Sequence, residues 1–136
     1  MDVDQIKDMT EKICNQSVKG VRQNMKKQFK GRNVLLMADC CSSGWLGTVA
    51  TDLAAAGFKA ASLTSADATV ESAGNWTFTQ TILGALNGNV LFDEDHDGFV
   101  TLGEAAAEVA SEMKFREHQL FGYTQAGLPD SWRLAG

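Results

Sequence analysis

The stretch VLLMADCCSSGW, residues 34–45, decides the fold, because an unbroken apolar run ends there in a cluster of acidic, thiol and turn-forming residues. An apolar run of this length, bounded by Gly31 and by the Ser-Gly pair at 43–44, is typical of a strand buried on both faces. Strands of that kind occur in parallel or mostly parallel sheets. In open α/β sheets, reactive groups collect beyond the carboxyl ends of the strands, which is where residues 39–44 lie.

Apolar residues at helical spacing predict helices on both sides of this strand. One later helix is expected to open with a capping box of Thr77 and Gln80. Another is expected to open with a capping box of Thr101 and Glu104. In chain order, the predicted elements are a helix over 3–15 that continues towards residue 30 after a weak break, a strand over 33–39, a helix over 46–57, a strand over 58–64, helices from 77 and over 102–113, and a short strand near 120–123. This alternation predicts a layered α/β fold.

Composition limits the class of protein. The chain has 136 residues with 44% hydrophobic content, enough for one packed domain over residues 1–136. A net charge of −5 argues against nucleic acid as a partner, and no run is long enough to cross a bilayer. The acidic, polar N-terminus is unlike a secretory signal, so we expect a cytoplasmic protein that does not bind membranes. Cys14, Cys40 and Cys41 are then expected to be free thiols, and no Cys–His spacing suggests zinc.

The residues after the first strand suit nucleophilic chemistry. A cysteine at the end of a strand can act as a nucleophile when a neighbouring group takes its proton, and Gly44 permits a sharp turn with close backbone approach. Backbone N–H groups around Ser43 and Gly44 could stabilise an oxyanion, and Asp39 could hold a basic side chain. The alternatives are that the cysteines are small core residues and that Asp39 caps the following helix.

The order Asp39, Cys41, Ser43, Gly44 after an apolar strand resembles the cysteine motif of caspase-like peptidases, the family of caspases, metacaspases and their bacterial relatives. The resemblance runs from about Val34 to Met113, because the segment TSADATVESAGNWTFTQTILGALNG and the aspartate-rich element after it also look like bacterial members. It implies a three-layer α/β fold, with a mostly parallel sheet and helices on both faces. It also implies that Cys41 is the nucleophile of a Cys–His dyad and that Asp39 lies in a pocket for a substrate Arg or Lys. Ser43, Gly44 and Trp45 are the other expected substrate-binding residues.

The histidine of the implied dyad is missing from its expected place. In such peptidases it lies upstream of the cysteine, whereas both histidines here, His96 and His118, lie downstream. The family fold also has further strands before the cysteine strand, and here only helical sequence precedes it. The resemblance therefore implies the C-terminal part of a caspase-like domain, incomplete on its N-terminal side. A second chain or a missing N-terminal segment would then supply the histidine.

The acidic segment DEDHDGFVTLGE, residues 93–104, matches the calcium-loop template of an EF-hand. Gly98 takes the sharp-turn position, and Val100 suits the short β-contact that such loops make. Three observations argue against calcium: the entering helix ends near Asn87, the loop has no paired loop, and Glu104 has a rival role in a capping box. The expected calcium ligands are Asp93, Asp95, Asp97, the Phe99 carbonyl, Thr101 and Glu104. No organic cofactor is indicated.

Three functions follow from these patterns. The first is a cysteine endopeptidase that hydrolyses polypeptides after Arg or Lys through Cys41. The second is a non-catalytic caspase-like relative that acts as a calcium-responsive interaction or scaffold module. The third, a plain EF-hand-type binding protein, leaves the strand before DCCSSG unexplained.

Overall fold

A computed structural model describes residues 2–5, 8, 9, 12, 16, 19, 20, 23, 32–72 and 74–136. The described positions from 3 to 23 are helical, as expected there, and the rest of the predicted N-terminal helix, with Cys14, lies outside the described residues. The elements are β1 (Asn33–Ala38), a 3-10 turn (Ser43–Trp45), α1 (Leu46–Ala55), β2 (Lys59–Thr64), α2 (Thr77–Leu86), a second 3-10 turn (Val90–Phe92), β3 (Val100–Thr101), α3 (Leu102–Arg116), β4 (Gly122–Ala126) and β5 (Arg133–Ala135). No helix among the described residues combines the length and the apolar character that a membrane crossing needs.

The main sheet of the described chain has three strands in the order β1-β2-β4. β1 and β2 are parallel, with Asn33 opposite Lys59 and Ala38 opposite Thr64. β4 runs antiparallel to β2, with Thr64 opposite Gly122. The prediction of a mostly parallel sheet was therefore wrong, and the fold is mixed α/β. The reason is that the chain, after α3 and residues 117–121, returns along β2 in the opposite direction as β4.

Helices contact both faces of this sheet. Val34 and Ala60 pack on one face against Val49 and Leu53 of α1. Leu63 of β2 packs on the other face with side chains of α2 and α3, namely Phe78, Ile82, Ala106, Val109 and Met113. Removing these aliphatic and aromatic side chains from water is the main favourable contribution to stability.

β1 is less buried than its composition predicts. Val34 is its only buried residue, and Met37 keeps 38% of its surface exposed. β2 is less apolar but buried from Ala60 to Thr64. The difference arises because β2 has a strand on each side, whereas β1 pairs within the described sheet with β2 alone. The expectation of a strand buried on both faces therefore holds for β2 rather than β1.

The two predicted capping boxes have different outcomes. α3 begins as expected, because the Thr101 hydroxyl accepts the Glu104 amide and the Glu104 carboxylate accepts the Thr101 amide. α2 does not begin with a box: Trp76, in the left-handed region with φ of 60°, is its N-cap. The Thr77 hydroxyl instead donates a hydrogen bond to the carboxylate of Glu117, which lies 40 residues later in the sequence.

A tyrosine ties the C-terminal tail to the sheet. The Tyr123 hydroxyl in β4 donates a 2.7 Å hydrogen bond to Oδ1 of Asp130. Burial raises the pKa of Tyr123, and the hydrogen bond to Asp130 and the charge of Asp130 raise it further. The tail then continues through Trp132 to β5, whose Ala135 lies opposite Val100 of β3.

Candidate functional site

The predicted reactive residues form a turn, residues 39–45, that we call the cysteine turn. It begins where β1 ends at Ala38 and closes in the 3-10 turn Ser43–Trp45. Ser42 takes a left-handed conformation with φ of 53°, which turns the chain sharply after the cysteines. Cys40 and Cys41 are both exposed, so the thiols are not core residues. The carboxyl end of β1 therefore presents accessible sulfur atoms, as the strand pattern predicts.

A neighbouring segment holds the Cys41 side chain. The Ser72 amide donates a hydrogen bond to the Cys41 Sγ at 3.3 Å. The Ser42 amide donates to the Val70 carbonyl at 2.8 Å, so the chain around residues 70–72 runs directly beside the turn. These two bonds orient the sulfur atom while leaving it accessible to solvent. Sequence reasoning did not identify Ser72, because nothing in the loop sequence marks its contact with the turn.

Asp39 is held by the first turn of α2. Its Oδ2 accepts a 2.6 Å hydrogen bond from the Thr79 hydroxyl and a 3.3 Å hydrogen bond from the Thr79 amide. A carboxylate at a helix N-terminus is stabilised by the unpaired amides and the dipole of the helix. Asp39 does cap a helix, but the helix is α2 rather than the one that follows it directly.

A small cavity lies beside Asp39. Its volume is about 10 Å³, no more than one water molecule needs, so a lysine or arginine side chain does not fit it in this conformation. Glu117 lines the same cavity, and its carboxylate accepts hydrogen bonds from the Thr77 hydroxyl and from Asn75 Nδ2. The Thr77 bond, followed by the Asn75 bond, holds the pKa of Glu117 below its usual value. Sequence analysis missed this second acid because its partners lie 40 and 42 residues earlier in the chain.

Ser43 and Gly44 make close contacts with the segment after β2. The Ser43 hydroxyl donates to the Ala66 carbonyl and accepts the Ala66 amide, and the side chain is buried. The Ser43 amide donates to the Cys40 carbonyl at 3.3 Å, so it is already engaged. A Cβ on Gly44 would collide with the backbone of Asp67 and Ala68. These contacts give both residues a structural role, and a substrate-binding role for either stays a prediction.

Trp45 and the two histidines are all exposed. Trp45 keeps 52% of its surface accessible, and its substrate-binding role stays a prediction. His96 and His118 are exposed and have positive φ angles of 60° and 50°. Neither makes a hydrogen bond with Cys41 in the described part of the chain, so the Cys–His dyad is not assembled there.

The acidic loop, residues 93–104, brings three carboxylates together. Oxygen atoms of Asp93, Asp95 and Asp97 all lie within 4.8 Å of one another. Backbone amides hold these side chains in place: the Gly98 amide donates to Asp93 Oδ2 at 2.9 Å, and the Asp97 amide donates to Asp95 Oδ1 at 3.1 Å. Gly98 has φ of 89°, which its position at the sharp turn requires. Clustered hard oxygen donors of this kind fit a calcium ion.

Glu104 reaches back over the acidic loop. Its Oε1 accepts the Glu94 amide at 2.9 Å, and its Oε2 accepts the amide and the hydroxyl of Thr101, each at 2.9 Å. Glu104 therefore serves the capping box and also holds loop amides. Its role as a calcium ligand stays a prediction. The Thr101 amide is the main reason that the pKa of Glu104 is lowered.

The carboxylates of the acidic loop have pKa shifts of opposite direction. The Asp97 amide lowers the pKa of Asp95, but desolvation and the negative charges of Asp97 and Glu104 outweigh it, so the net pKa is raised. Desolvation raises the pKa of Asp93, but hydrogen bonds from the Gly98 and Asp97 amides outweigh it, so the net pKa is lowered. A bound cation would relieve the repulsion felt by Asp95.

The surroundings of the acidic loop differ from a two-helix site. The 3-10 turn Val90–Phe92 precedes Asp93 directly, in place of an entering α-helix. Val100 makes the expected short β-contact, and its partner is Ala135 of the chain's own tail. The Arg133 guanidinium lies 3.6 Å from the centre of the Phe99 ring, which attaches the tail to the loop.

Comparisons of this chain with protein-family models, with curated proteins and with solved structures give no match. The resemblance to caspase-like peptidases therefore depends on the sequence motifs at residues 39–44 and after them. The structure contributes a mixed α/β fold, exposed thiols at the end of β1 and a group of three aspartates.

Proposed function

We propose that this chain is the cysteine-bearing part of a caspase-like cysteine endopeptidase that cleaves polypeptides after Arg or Lys. The observation that carries the proposal is the position of Cys41, exposed just beyond the carboxyl end of β1 with its sulfur held by the Ser72 amide. That position matches what the motif implies for the nucleophile. The finer fold assignment, a three-layer caspase-like domain, belongs to the same proposal and is supported by helices packed on both faces of the sheet.

The proposed reaction is acyl transfer through the thiol. The Cys41 proton passes to an imidazole, the sulfur attacks the scissile carbonyl, and the C–N bond breaks as the leaving amine takes up a proton. Water then hydrolyses the thioester and regenerates the thiol. The imidazole would come from a segment or chain outside the described residues. Within the described sheet, β1 pairs on one side only, so a strand carrying that histidine could pair along its other side.

Substrate recognition would need a conformational change. For Asp39 to receive a basic side chain, it must release Thr79, and the cavity beside it must open. Trp76 is the residue placed to move, because it lines this cavity, is 63% exposed and forms the N-cap of α2. Trp45, which is 52% exposed, would contribute to the same substrate-binding surface.

An arginine-directed acylating probe tests this proposal. We expect the probe to label Cys41 in preference to Cys40, as read by mass spectrometry of the digested protein. Cys40→Ala is the matched control, because Cys40 is the exposed neighbour of Cys41, and it should keep labelling that Cys41→Ala abolishes. Equal labelling of both cysteines, or equal labelling by an aspartate-directed probe, would contradict the peptidase assignment.

A second candidate function is favoured by the acidic loop. Three converging aspartates with Glu104 beside them support a calcium-binding module, either bracing the peptidase or acting in a non-catalytic scaffold. Asp93, Asp95 and Asp97 would hold the ion directly, and Glu104 would exchange its hydrogen bonds with the loop amides for the ion. The Phe99 carbonyl and Thr101 are the other proposed ligands.

Calorimetry with calcium tests this second function. Binding should be lost in Asp95→Ala and kept in Glu71→Gln, which changes an exposed carboxylate outside the loop. Calcium binding without preferential labelling of Cys41 would favour the scaffold module over the peptidase. Absence of calcium binding in the unmodified chain would exclude the metal from both functions.

A further inference from the structure

Two aliphatic side chains next to the acidic loop are left in water. Val90 and Leu91 are 76% and 85% exposed, whereas Phe92, next in the chain, packs against the core residues Ala85 and Val100. The turn that carries them is well fixed, because the Asn89 side chain accepts the Leu91 amide at 3.1 Å. Gly84 of α2 leaves room for the Phe92 ring, which would lie 3.0 Å from any Cβ there. The exposure therefore belongs to an anchored turn.

These side chains border a groove between the turn and α3. The groove has a volume of about 390 Å³, and Ala107 and Glu108 of α3 also line it. The half-buried Phe92 lines it as well. Exposed aliphatic side chains that line a groove are a surface on which an amphipathic helix can lay its apolar face.

The rim of the groove is negatively charged. Four carboxylates and His96 line it, and no lysine or arginine lies among the described residues that do so. Glu94 and Glu108 are not among the proposed calcium ligands, so their charges remain whether or not the acidic loop holds an ion. The carboxylates of the rim are Asp93, Glu94, Glu104 and Glu108.

From the apolar turn and the acidic rim together, we propose that this groove docks a basic amphipathic helical segment of a partner protein. Aliphatic side chains of the segment would cover Val90 and Leu91, and its lysines or arginines would pair with Glu94 and Glu108. Charge complementarity with the four carboxylates argues for a basic segment as the occupant. The surface lies outside the cysteine turn, so the inference does not depend on peptidase activity.

Fluorescence anisotropy with a labelled leucine–lysine peptide, its leucines at helical spacing, tests the proposal. We expect Leu91→Ser and Glu108→Gln each to weaken binding about tenfold, which corresponds to about 1.4 kcal/mol. Leu120→Ser is the matched control, because Leu120 is also well exposed, at 64%, and does not line the groove. A peptide of the same composition with its leucines scattered should bind more weakly than the amphipathic one.

Three results would overturn the proposal. Equal affinity of Leu91→Ser and the unmodified chain would show that the apolar turn takes no part. Equal affinity for the scattered peptide would show general attraction to an acidic protein. A doubled mass in light scattering that Leu91→Ser abolishes would show that a second copy occupies the groove. Circular dichroism of each variant separates these results from a folding defect.

Discussion

The cysteine turn and the acidic loop are held by hydrogen bonds of very different range. In the acidic loop, the side-chain bonds that fix the carboxylates join residues no more than ten positions apart. In the cysteine turn, the corresponding bonds span 23 residues for Ser43 with Ala66, 31 for Cys41 with Ser72 and 40 for Asp39 with Thr79. The acidic loop therefore carries its own geometry, whereas the cysteine turn takes its geometry from residues 65–79.

This difference explains why the two motifs were not equally informative. A motif whose contacts are local can be checked position by position in the sequence, as the glycine at 98 and the glutamate at 104 were. For a motif whose contacts are distant in sequence, the sequence shows the residue types but not the residues that they contact. Of the four predictions that follow, two test the dependence of the cysteine turn on its distant partners, one tests the long-range contacts of Glu117, and one tests the acidic loop.

The largest effect is expected from Gly44→Ala. The added methyl group would overlap backbone atoms of Asp67 and Ala68, which yield less readily than the end of a flexible side chain. We expect the free energy of unfolding in urea to fall by about 2 to 3 kcal/mol. Gly20→Ala is the control, because a Cβ at Gly20 meets no atom within 4 Å, and its stability should not fall. Unchanged stability of Gly44→Ala would show that the distant contact is dispensable.

A smaller loss is expected from Thr79→Val, which removes the hydroxyl that donates to Asp39. A hydrogen bond to a charged group contributes about 1.5 to 3 kcal/mol, and the retained Thr79 amide places the expected loss at the lower end. Thr101→Val is the local counterpart and should cost about 1 kcal/mol as a lost cap. Only Thr79→Val should change the rate at which Cys41 reacts with a thiol reagent. Equal thiol reactivity of Thr79→Val and Thr101→Val would show that the hydrogen bond from Thr79 to Asp39 does not influence Cys41.

The next prediction concerns the contribution of Glu117 to the stability of the folded chain in acid. Hydrogen bonds from Thr77 and Asn75 lower the pKa of Glu117 in the folded chain below its usual value. A lowered folded pKa contributes stability above the unfolded pKa, and that contribution is lost as the pH falls through the folded pKa. Glu117→Gln should therefore be less stable than the unmodified chain at neutral pH and lose less stability below about pH 4.5. If Glu117→Gln and the unmodified chain lost stability equally as the pH falls, the lowered pKa of Glu117 would not contribute to stability.

The smallest effect, and one of opposite sign, is expected in the acidic loop. The Asp97 amide lowers the pKa of Asp95, but desolvation and the charges of Asp97 and Glu104 give a net rise above 3.8. A raised folded pKa means that stability is lost as the pH rises through it, so charged Asp95 destabilises the metal-free loop at neutral pH. Asp95→Asn should slightly raise the melting temperature without calcium, while Glu71→Gln should leave it unchanged. A lower melting temperature for Asp95→Asn would mean that its bond to the Asp97 amide outweighs the repulsion.

Much of the fold could be predicted because its signals are local. The apolar run of β1, the helical spacing of Val49 and Leu53, and the capping box of Thr101 each depend on residues within a few positions of one another. The box expected at Thr77 failed because Glu117, 40 residues away, accepts its hydroxyl. The antiparallel direction of β4 and the pairing of β5 with Val100 also depend on long-range packing that no local pattern encodes.

The candidate site was predictable in its residues and not in its surroundings. The motif placed Asp39 and Cys41 at the end of β1, where the structure has them. It gave no sign that Asp39 binds Thr79, that Ser43 is buried against Ala66, or that Glu117 shares the cavity. Each of these contacts arises from the folding of residues 65–79 and 117 across the end of the sheet.

The bond between Tyr123 and Asp130 gives the molecule an optical reporter. Tyr123 is the only tyrosine in the chain, so any tyrosinate absorbance in alkali comes from this one corner of the molecule. Burial and Asp130 raise the pKa of Tyr123. Tyrosinate absorbance should therefore stay low in mild alkali and rise only when the contact between β4 and the tail is lost. A spectrophotometer can therefore time the release of the tail without any label.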